Sequence, residues 1–390
     1  MNRAGCTLSL IVSTLIASNA LGQELPFVHY TVHSELNPLP SAAVNEVIID
    51  SQGFLWFVIH SSGLFRYDGH TSEVYSAKDG LPANSTIDMV EDQKGRLWVL
   101  TRHGLAVLEK GLGAYAPNER LKFTTKIQGM NLVKVVNDTQ SNLALAPDGG
   151  IWVTTESGAV RYSYDPNGNI QSKTVEFSDG IRSKESAVLP LRDGKIWIVI
   201  NQDKIAILDS TGEQMSMVDL KLDAPCEGIS EIRQLMSQQA ALACRSGSLF
   251  ELKSNSKGLM DGIELIKLDS PIDAVSEGKD GSLWLGTNQH GVYYSLGGIK
   301  DASYQKLNRK NGLIADSVRR VLEDAEGNIW IAQSGGVSKL QQNYKAFQTY
   351  TAKSQAGERP VLPSPGVQTV RIGSQPEKGS LWIGTNIETS

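Results

Sequence analysis

The sequence predicts an all-β fold, a β-propeller of four-stranded blades with seven complete units and a partial eighth. Three observations lead to this prediction. All seven tryptophans occupy one repeated motif, the motif recurs about every 45 residues, and apolar segments alternate with turn segments between its copies. Four short strands in about 40–50 residues form the blade unit of a propeller.

The tryptophan motif places Leu or Ile directly before each indole and a glycine three residues earlier. The tryptophans are Trp56, Trp98, Trp152, Trp197, Trp284, Trp330 and Trp382, and successive spacings are 42, 54, 45, 87, 46 and 52 residues. The interval of 87 is close to two periods, which predicts a degenerate repeat with Leu242 at the Trp position and Gln239 at the glycine position. Indoles in one register are expected to be structural, wedged between blades.

The segments around each tryptophan read as the strands of a blade. An apolar first strand such as VNEVIID leads into a polar turn that carries Asp and Gly, residues that favour tight turns. The tryptophan strand is apolar on consecutive residues, as at 97–100, so both of its faces must be covered. A third strand and a more polar fourth strand follow, the latter exemplified by SEVYSA at 72–77 and AFQTYTA at 346–352.

The first 22 residues have the pattern of a secretory signal peptide. Arg3 provides the positive charge, residues 8–17 are apolar or small, and Ser18-Asn19-Ala20 offers the small-x-small cleavage pattern. We expect cleavage after Ala20 or Gly22, because the apolar run is shorter than the roughly 20 residues of a membrane-spanning helix. The expected organisation is a signal peptide at 1–22, the propeller at 23–350 and a further, truncated repeat at 351–390, with the mature chain in the periplasm.

Composition and motif content narrow the classes of function. The chain has 37 basic and 42 acidic residues and a net charge of −5, with no basic patch that would indicate a nucleic-acid partner. It contains no GxSxG, HExxH or P-loop motif. We therefore expect no enzymatic activity, no catalytic residue, no cofactor and no metal, and no membrane span in the mature chain.

A second motif recurs between the blades, as DGLPANS at 79–85 and NGLIADS at 311–317. Together with LWLGT at 283–287 and LWIGT at 381–385, it resembles the two-component regulator propeller repeat. The resemblance implies the periplasmic sensor part of a bacterial hybrid histidine kinase or diguanylate cyclase. In that family a transmembrane helix and an output domain follow the propellers, and a full-length receptor can be a homodimer.

The end of the chain allows two interpretations. The sequence stops five residues after LWIGT, inside a repeat, which favours a truncated receptor. The alternative is a complete eight-bladed ring, in which FVHYTV at 27–32 supplies the missing outer strand.

Candidate ligand-binding residues lie in the loops before the first strands and after the second strands. We expect these loops to meet at the mouth of the central channel and to bind a small polar ligand, a carbohydrate being one candidate. The residues are Asn84, Ser85, Arg102, His103, His290, Asp316 and Ser317. An ordinary solvated surface is the competing interpretation.

Two further functions remain open at this stage. The DGxIW-type repeats also resemble streptogramin lyase, a propeller enzyme that works through a histidine and a metal. His60, His103 and His290 all follow a tryptophan strand and share one face, as such a site would require. The third possibility is a scaffold for protein–protein contacts.

Cys226 and Cys244 are the two cysteines of the expected mature chain. A hairpin turn near Gln238 should set Cys244 opposite a residue near Ile232, with Cys226 in the loop beyond. In an oxidising compartment the pair can form a disulfide. Two separate buried thiols are the alternative.

Overall fold

A computed structural model describes residues 27–35, 37–116, 119–126, 142–255, 259–300, 303–341, 367–372 and 381–385. The helical segments in these ranges are single 3-10 turns, at Ala77–Asp79, Leu112–Ala114, Ser178–Gly180, Gly298–Lys300 and Arg309–Asn311. The all-β prediction is therefore confirmed. The predicted signal peptide, the strand at 346–352 and the domain boundaries near residues 22 and 350 lie outside the described residues.

The strands follow one another as antiparallel meanders. The first sheet contains β2 (Val44–Ile49), β3 (Leu55–Ile59), β4 (Gly63–Tyr67) and β5 (Ser72–Tyr75). The second contains β6 (Thr86–Glu91), β7 (Leu97–Thr101), β8 (Gly104–Leu108) and β9 (Phe123–Thr124). The third contains β10 (Leu143–Leu145), β11 (Ile151–Thr155), β12 (Gly158–Tyr164) and β13 (Ile170–Glu176).

The next two meanders share one eight-stranded sheet, because their outer strands pair in parallel. They are β14 (Ser186–Pro190), β15 (Ile196–Ile200), β16 (Lys204–Leu208), β17 (Gln214–Leu222), and β18 (Ile229–Gln234), β19 (Ala240–Cys244), β20 (Ser248–Ser254), β21 (Met260–Lys267). The following sheet contains β22 (Ile272–Glu277), β23 (Leu283–Thr287), β24 (Val292–Ser295) and β25 (Gln305–Leu307).

The final sheet of this series combines both ends of the propeller. Its strands are β26 (Val318–Glu323), β27 (Ile329–Gln333), β28 (Gly336–Leu340) and β1 (Phe27–Tyr30). The first strands touch in cyclic order: β2 contacts β6, and contacts continue through β10, β14, β18 and β22 to β26, which contacts β2 again. The meanders therefore close into a ring, and the propeller prediction is confirmed.

The N-terminal strand β1 closes the ring. It pairs antiparallel with β28, with Phe27 opposite Leu340 and Tyr30 opposite Val337. The strand predicted as a possible outer strand of an eighth blade therefore belongs to the sheet of Trp330, and that alternative was wrong. Covering β28 removes an exposed strand edge that would otherwise be open to pairing with other chains.

Strands β29 (Val367–Ile372) and β30 (Leu381–Thr385) form a separate two-stranded hairpin. They belong to a second compact unit, whereas β1 to β28 lie within the unit Pro26–Tyr344. Arg371 stands opposite Trp382 in this hairpin.

Consecutive sheets bury a hydrophobic core between them, to which the tryptophan strands contribute from both faces. Trp56 and Val58 pack with Met89 and Val99 of the next sheet. Phe57 and Ile59, on the opposite face of the same strand, pack in the core that contains Trp330. This two-sided packing explains why each second strand is apolar on consecutive residues.

An aspartate six residues before the indole anchors three of the tryptophans. The Nε1 atoms of Trp56, Trp98 and Trp330 donate hydrogen bonds of 2.7–2.8 Å to Asp50, Asp92 and Asp324. The other oxygen of Asp92 accepts from the backbone N–H groups of Lys94 and Arg96. One side chain thus fixes both the hairpin turn and the indole, which accounts for the Asp–Gly turns of the sequence.

The degenerate repeat is shifted by one residue from its predicted alignment. Trp56 stands opposite Ile48, and the equivalent pair in the repeat of β18 and β19 is Ala241 opposite Arg233. Ala241 therefore takes the Trp position, while Leu242 faces Ile232 as Phe57 faces Val47. The turn residue with positive φ is Gln238 at 69°, rather than Gln239. Without an indole or a turn glycine, the local sequence does not fix this register.

Candidate functional site

Within the ring, a β-bulge marks the beginning of five first strands. In β2, β6, β18, β22 and β26 the pairing skips the second residue of the strand. An extra residue of this kind re-aims side chains and is common next to binding sites. The skipped residues are Asn45, Ile87, Ser230, Asp273 and Arg319.

These five residues line a cavity of about 480 Å³. The cavity is completed mainly by the residue that directly follows each neighbouring second strand: His60, Arg102, Arg245, Asn288 and Ser334. Ala43, Val44 and Pro271 complete the lining. The site therefore forms at the face of the ring predicted from the sequence, where first strands begin and second strands end.

One backbone hydrogen bond positions each residue that follows a second strand. The N–H of Arg102 donates to the carbonyl of Ser85, and the N–H of Ser334 donates to the carbonyl of Ser317, both at 3.0 Å. The same bond joins His60 to Ala43 and Arg245 to Gly228. These bonds continue the strand pairing by one residue, so the backbone of each residue that follows a second strand is held at the edge of the cavity.

Of the seven candidate residues, the structure places Arg102 in the cavity lining. His103 and His290 each donate their backbone N–H to the threonine that ends the preceding strand. The His290 ring also contacts the Asp269 carboxylate at 2.8 Å, on an exposed surface. The cavity lining thus includes Arg102, one position before His103, and Asn288, two positions before His290.

The interblade motif has a structural role at Asn84 and Asp316. The Asn84 side chain accepts a hydrogen bond from Ala77 N–H, and Asp316 accepts one from Arg309 N–H, each at 2.8 Å. Each motif begins at the last residue of a capped 3-10 turn, and a glycine in the left-handed conformation follows that turn. At Gly80 a Cβ would lie 1.9 Å from the backbone oxygen of Phe123 in β9, which excludes any larger residue.

Comparing the repeats at the end of the second strand would have found the cavity residues. Five polar residues each come directly after a mostly apolar five-residue strand: His60, Arg102, Arg245, Asn288 and Ser334. The skipped residues of the first strands carry no such signal, because a bulge is invisible to an alternating pattern.

A buried ionic network lies beside the cavity, built from the third residues of the first strands. The Arg320 side chain, 17% exposed, contacts Glu46 at 2.9 Å and donates a 2.7 Å hydrogen bond to Glu231. Arg233 also donates to Glu231. The second Glu231 oxygen accepts the Val275 N–H at 2.6 Å. The network therefore joins strands from several sheets around the channel.

The pKa values of the carboxyl groups in and beside this network shift in different directions. Burial raises the pKa of Glu46, against the opposing effect of Arg320. Burial also raises the pKa of Asp88 well above its usual value, and repulsion from Glu46 adds to this shift. Burial alone would raise the pKa of Glu231, but Arg233 and Arg320 outweigh it and lower the pKa. Arg233 and Arg320 thus both favour the ionised network, and Arg320 is the one that contacts both Glu46 and Glu231.

A disulfide joins Cys226 and Cys244, with α-carbons 5.4 Å apart. Cys244 stands opposite Ile229 and not near Ile232 as predicted, in keeping with the shifted register of this repeat. The bond ties the loop before β18 to the end of β19, next to the cavity residue Arg245.

We expect no reactive thiol in the mature protein when it is exported, denatured and left unreduced. Thiol titration measures this directly, and the reduced protein, with two thiols per chain, is the control. Replacing Cys226 by Ala should lower the free energy of unfolding by about 3 kcal/mol, because the bond closes a loop of 18 residues. Two thiols in the unreduced protein would contradict the disulfide.

Among the residues described, no group of three His, Cys, Asp or Glu side chains is placed to hold a metal ion. No helix there is long and apolar enough to cross a membrane.

The family model for the two component regulator propeller matches residues 80–103. No curated protein matches the sequence. Among solved structures, the extracellular domain of a hybrid two component system from B. thetaiotaomicron is 20% identical, with a TM-score of 0.65 over 89% of this chain and 45% of its own. A second such domain from B. thetaiotaomicron is 17% identical, with a TM-score of 0.57 over 82% of this chain and 40% of its own.

Virginiamycin B lyase from Staphylococcus aureus shares the fold as well. It is 14% identical, with a TM-score of 0.58 over 81% of this chain and 98% of its own.

The chain spans less than half the length of the two-component extracellular domains it resembles. At these identities the structural likeness establishes the fold, and the sequence match adds the repeat type. The chain carries a two component regulator propeller repeat and has the propeller fold of the extracellular domains of hybrid two-component systems.

Proposed function

We propose that this chain is the ligand-sensing propeller of a bacterial signal-transduction receptor, exported to the periplasm by its N-terminal signal peptide. The observation that carries the proposal is the polar cavity at the channel mouth, where side chains from five neighbouring meanders converge. Cavities of a few hundred Å³ with a few placed polar groups are typical of small-molecule sites.

In this proposal the propeller does not act alone. The extracellular domains with the same fold are about twice as long, so a full-length receptor would add further propeller repeats, a membrane span and an output domain. The output would be a histidine kinase or a diguanylate cyclase, and dimerisation of the receptor would couple ligand binding to it.

A screen of small polar molecules by thermal shift, followed by calorimetry, tests the binding step. Ser334 is exposed at the cavity, so Ser334→Trp should fill the site without disturbing a core. We expect it to weaken binding of any hit at least about tenfold. Ser237→Trp, at an exposed hairpin turn outside the cavity lining, is the matched control and should leave the affinity unchanged.

A lyase-type enzyme is the second candidate, favoured by His60 in the cavity lining and by the shared fold of virginiamycin B lyase. The two candidates differ in the fate of the ligand. Mass spectrometry after prolonged incubation should recover the ligand unchanged if the protein senses it. Conversion that is lost in His60→Ala would support the enzyme instead. If no molecule in the screen binds, the sensing proposal fails.

A further inference from the structure

Asp88 carries a buried carboxyl group that no cationic side chain contacts. It is 5% exposed, and the Arg320 guanidinium contacts Glu46 and Glu231 instead. The Oδ1 atom of Asp88 accepts the N–H of Met89 at 2.8 Å, but its Oδ2 atom makes no hydrogen bond of ordinary length and angle with the described residues. A protein interior disfavours an ionised carboxylate of this kind and favours the neutral acid.

The groups that face Asp88 also favour its neutral form. Strand β6 packs most extensively against β2, β3, β7 and β10, and among the residues of these four strands Glu46 is the titratable one. Repulsion from Glu46 adds to burial in raising the pKa of Asp88, and attraction to Arg320 opposes this shift. Because Arg320 contacts Glu46 at 2.9 Å, a proton is better placed on Asp88 than on Glu46.

The bulge in β6 links Asp88 directly to the cavity. Ile87, the residue that the pairing skips, lines the cavity, and Asp88 follows it in the chain. Strand β2 repeats this order, with Asn45 in the cavity lining and Glu46 in the ionic network. A change of charge at Asp88 therefore acts on the strand end that holds a cavity residue.

We propose that Asp88 is a proton switch beside the cavity: it holds a proton at pH values where exposed aspartates are ionised, and loss of this proton loosens the beginning of β6 at Ile87. Ionisation would place a second negative charge near Glu46 in a site from which water is excluded, and local opening lets water reach the carboxylate. The surrounding pH then controls how firmly this edge of the cavity is held. The proposal is independent of the sensing function, because its tests need no ligand.

The melting temperature of the wild type should fall relative to that of Asp88→Asn as the pH rises from about 5 to about 8. The pKa of Asp88 is raised in the folded state, so the folded chain keeps a proton that the unfolded chain has released, and stability is lost with rising pH. We expect the difference between the two proteins to change by about 2 °C or more. Asp203→Asn, at an exposed turn between β15 and β16, is the matched control and should follow the wild type.

Hydrogen–deuterium exchange tests the link to the cavity. After correction for the intrinsic effect of pH, peptides that contain Ile87 should exchange about fivefold faster or more at about pH 8 than at about pH 5 in the wild type, and at equal rates in Asp88→Asn. Peptides from β12 are the internal control and should show no such change. If Asp88→Asn does not fold, Asp88→Leu provides the same comparison without a titratable group. The same pH dependence of melting in the wild type and the variant, or pH-independent exchange at Ile87, would overturn the inference.

Discussion

Arg320→Met should lower the free energy of unfolding by about 3–5 kcal/mol near neutral pH, because it leaves the buried Glu46 without its contacting cation and leaves the buried Glu231 with Arg233 alone. Glu46 is 2% exposed and Glu231 is 3% exposed, so water replaces little of the lost interaction. Denaturant titration measures the loss. Arg182→Met removes an exposed guanidinium whose nearest carboxylate oxygen is 3.9 Å away, and it should cost little.

The loss should be larger at about pH 8 than at about pH 5. Arg320 lowers the pKa of both Glu46 and Glu231, so removing it raises both values in the folded state. A carboxyl whose pKa is higher in the folded than in the unfolded state loses stability as the pH rises through the folded value. If Arg320→Met does not fold, Arg320→Met combined with Glu46→Gln should recover part of the stability. A pH-independent loss would argue against the network.

Trp98→Ala should cost about 3–5 kcal/mol, the range for truncating a buried aromatic side chain. The indole is 1% exposed, and its ring centroid lies 5.5 Å from that of Tyr162. Its Nε1 donates a 2.7 Å hydrogen bond to Asp92, and this bond also disappears. Equilibrium unfolding in urea gives the difference in free energy directly.

Trp197→Ala is the matched control for the same motif position. Trp197 is only partly buried, and its Nε1 has no hydrogen-bond partner among the residues described. The loss at Trp197 should therefore be clearly smaller than at Trp98. Equal losses of unfolding free energy at the two positions would contradict this explanation. They would mean that burial and the hydrogen bond to Asp92 do not determine how much each indole stabilises the fold.

Much of the site could be located, but not assembled, from the sequence. The face of the ring on which the cavity forms could be predicted from the order of the strands within each repeat. Arg102 was identified, whereas Arg245 lies in the repeat whose predicted alignment was shifted by one residue. Asp273 and Arg319 occupy bulges, where one extra residue breaks the alternation on which strand predictions rely.

The sequence by itself determined the all-β class, the repeat and the position of the tryptophans in the second strands. These features depend on short-range patterns, such as Asp92, Gly95 and Trp98 in one hairpin, which a single repeat contains completely. Only the tertiary structure decided that Phe27 pairs with Leu340 and that Ala241 takes the Trp position. Those outcomes depend on which edges and faces are left to be covered once the ring has formed, and no local pattern carries that information.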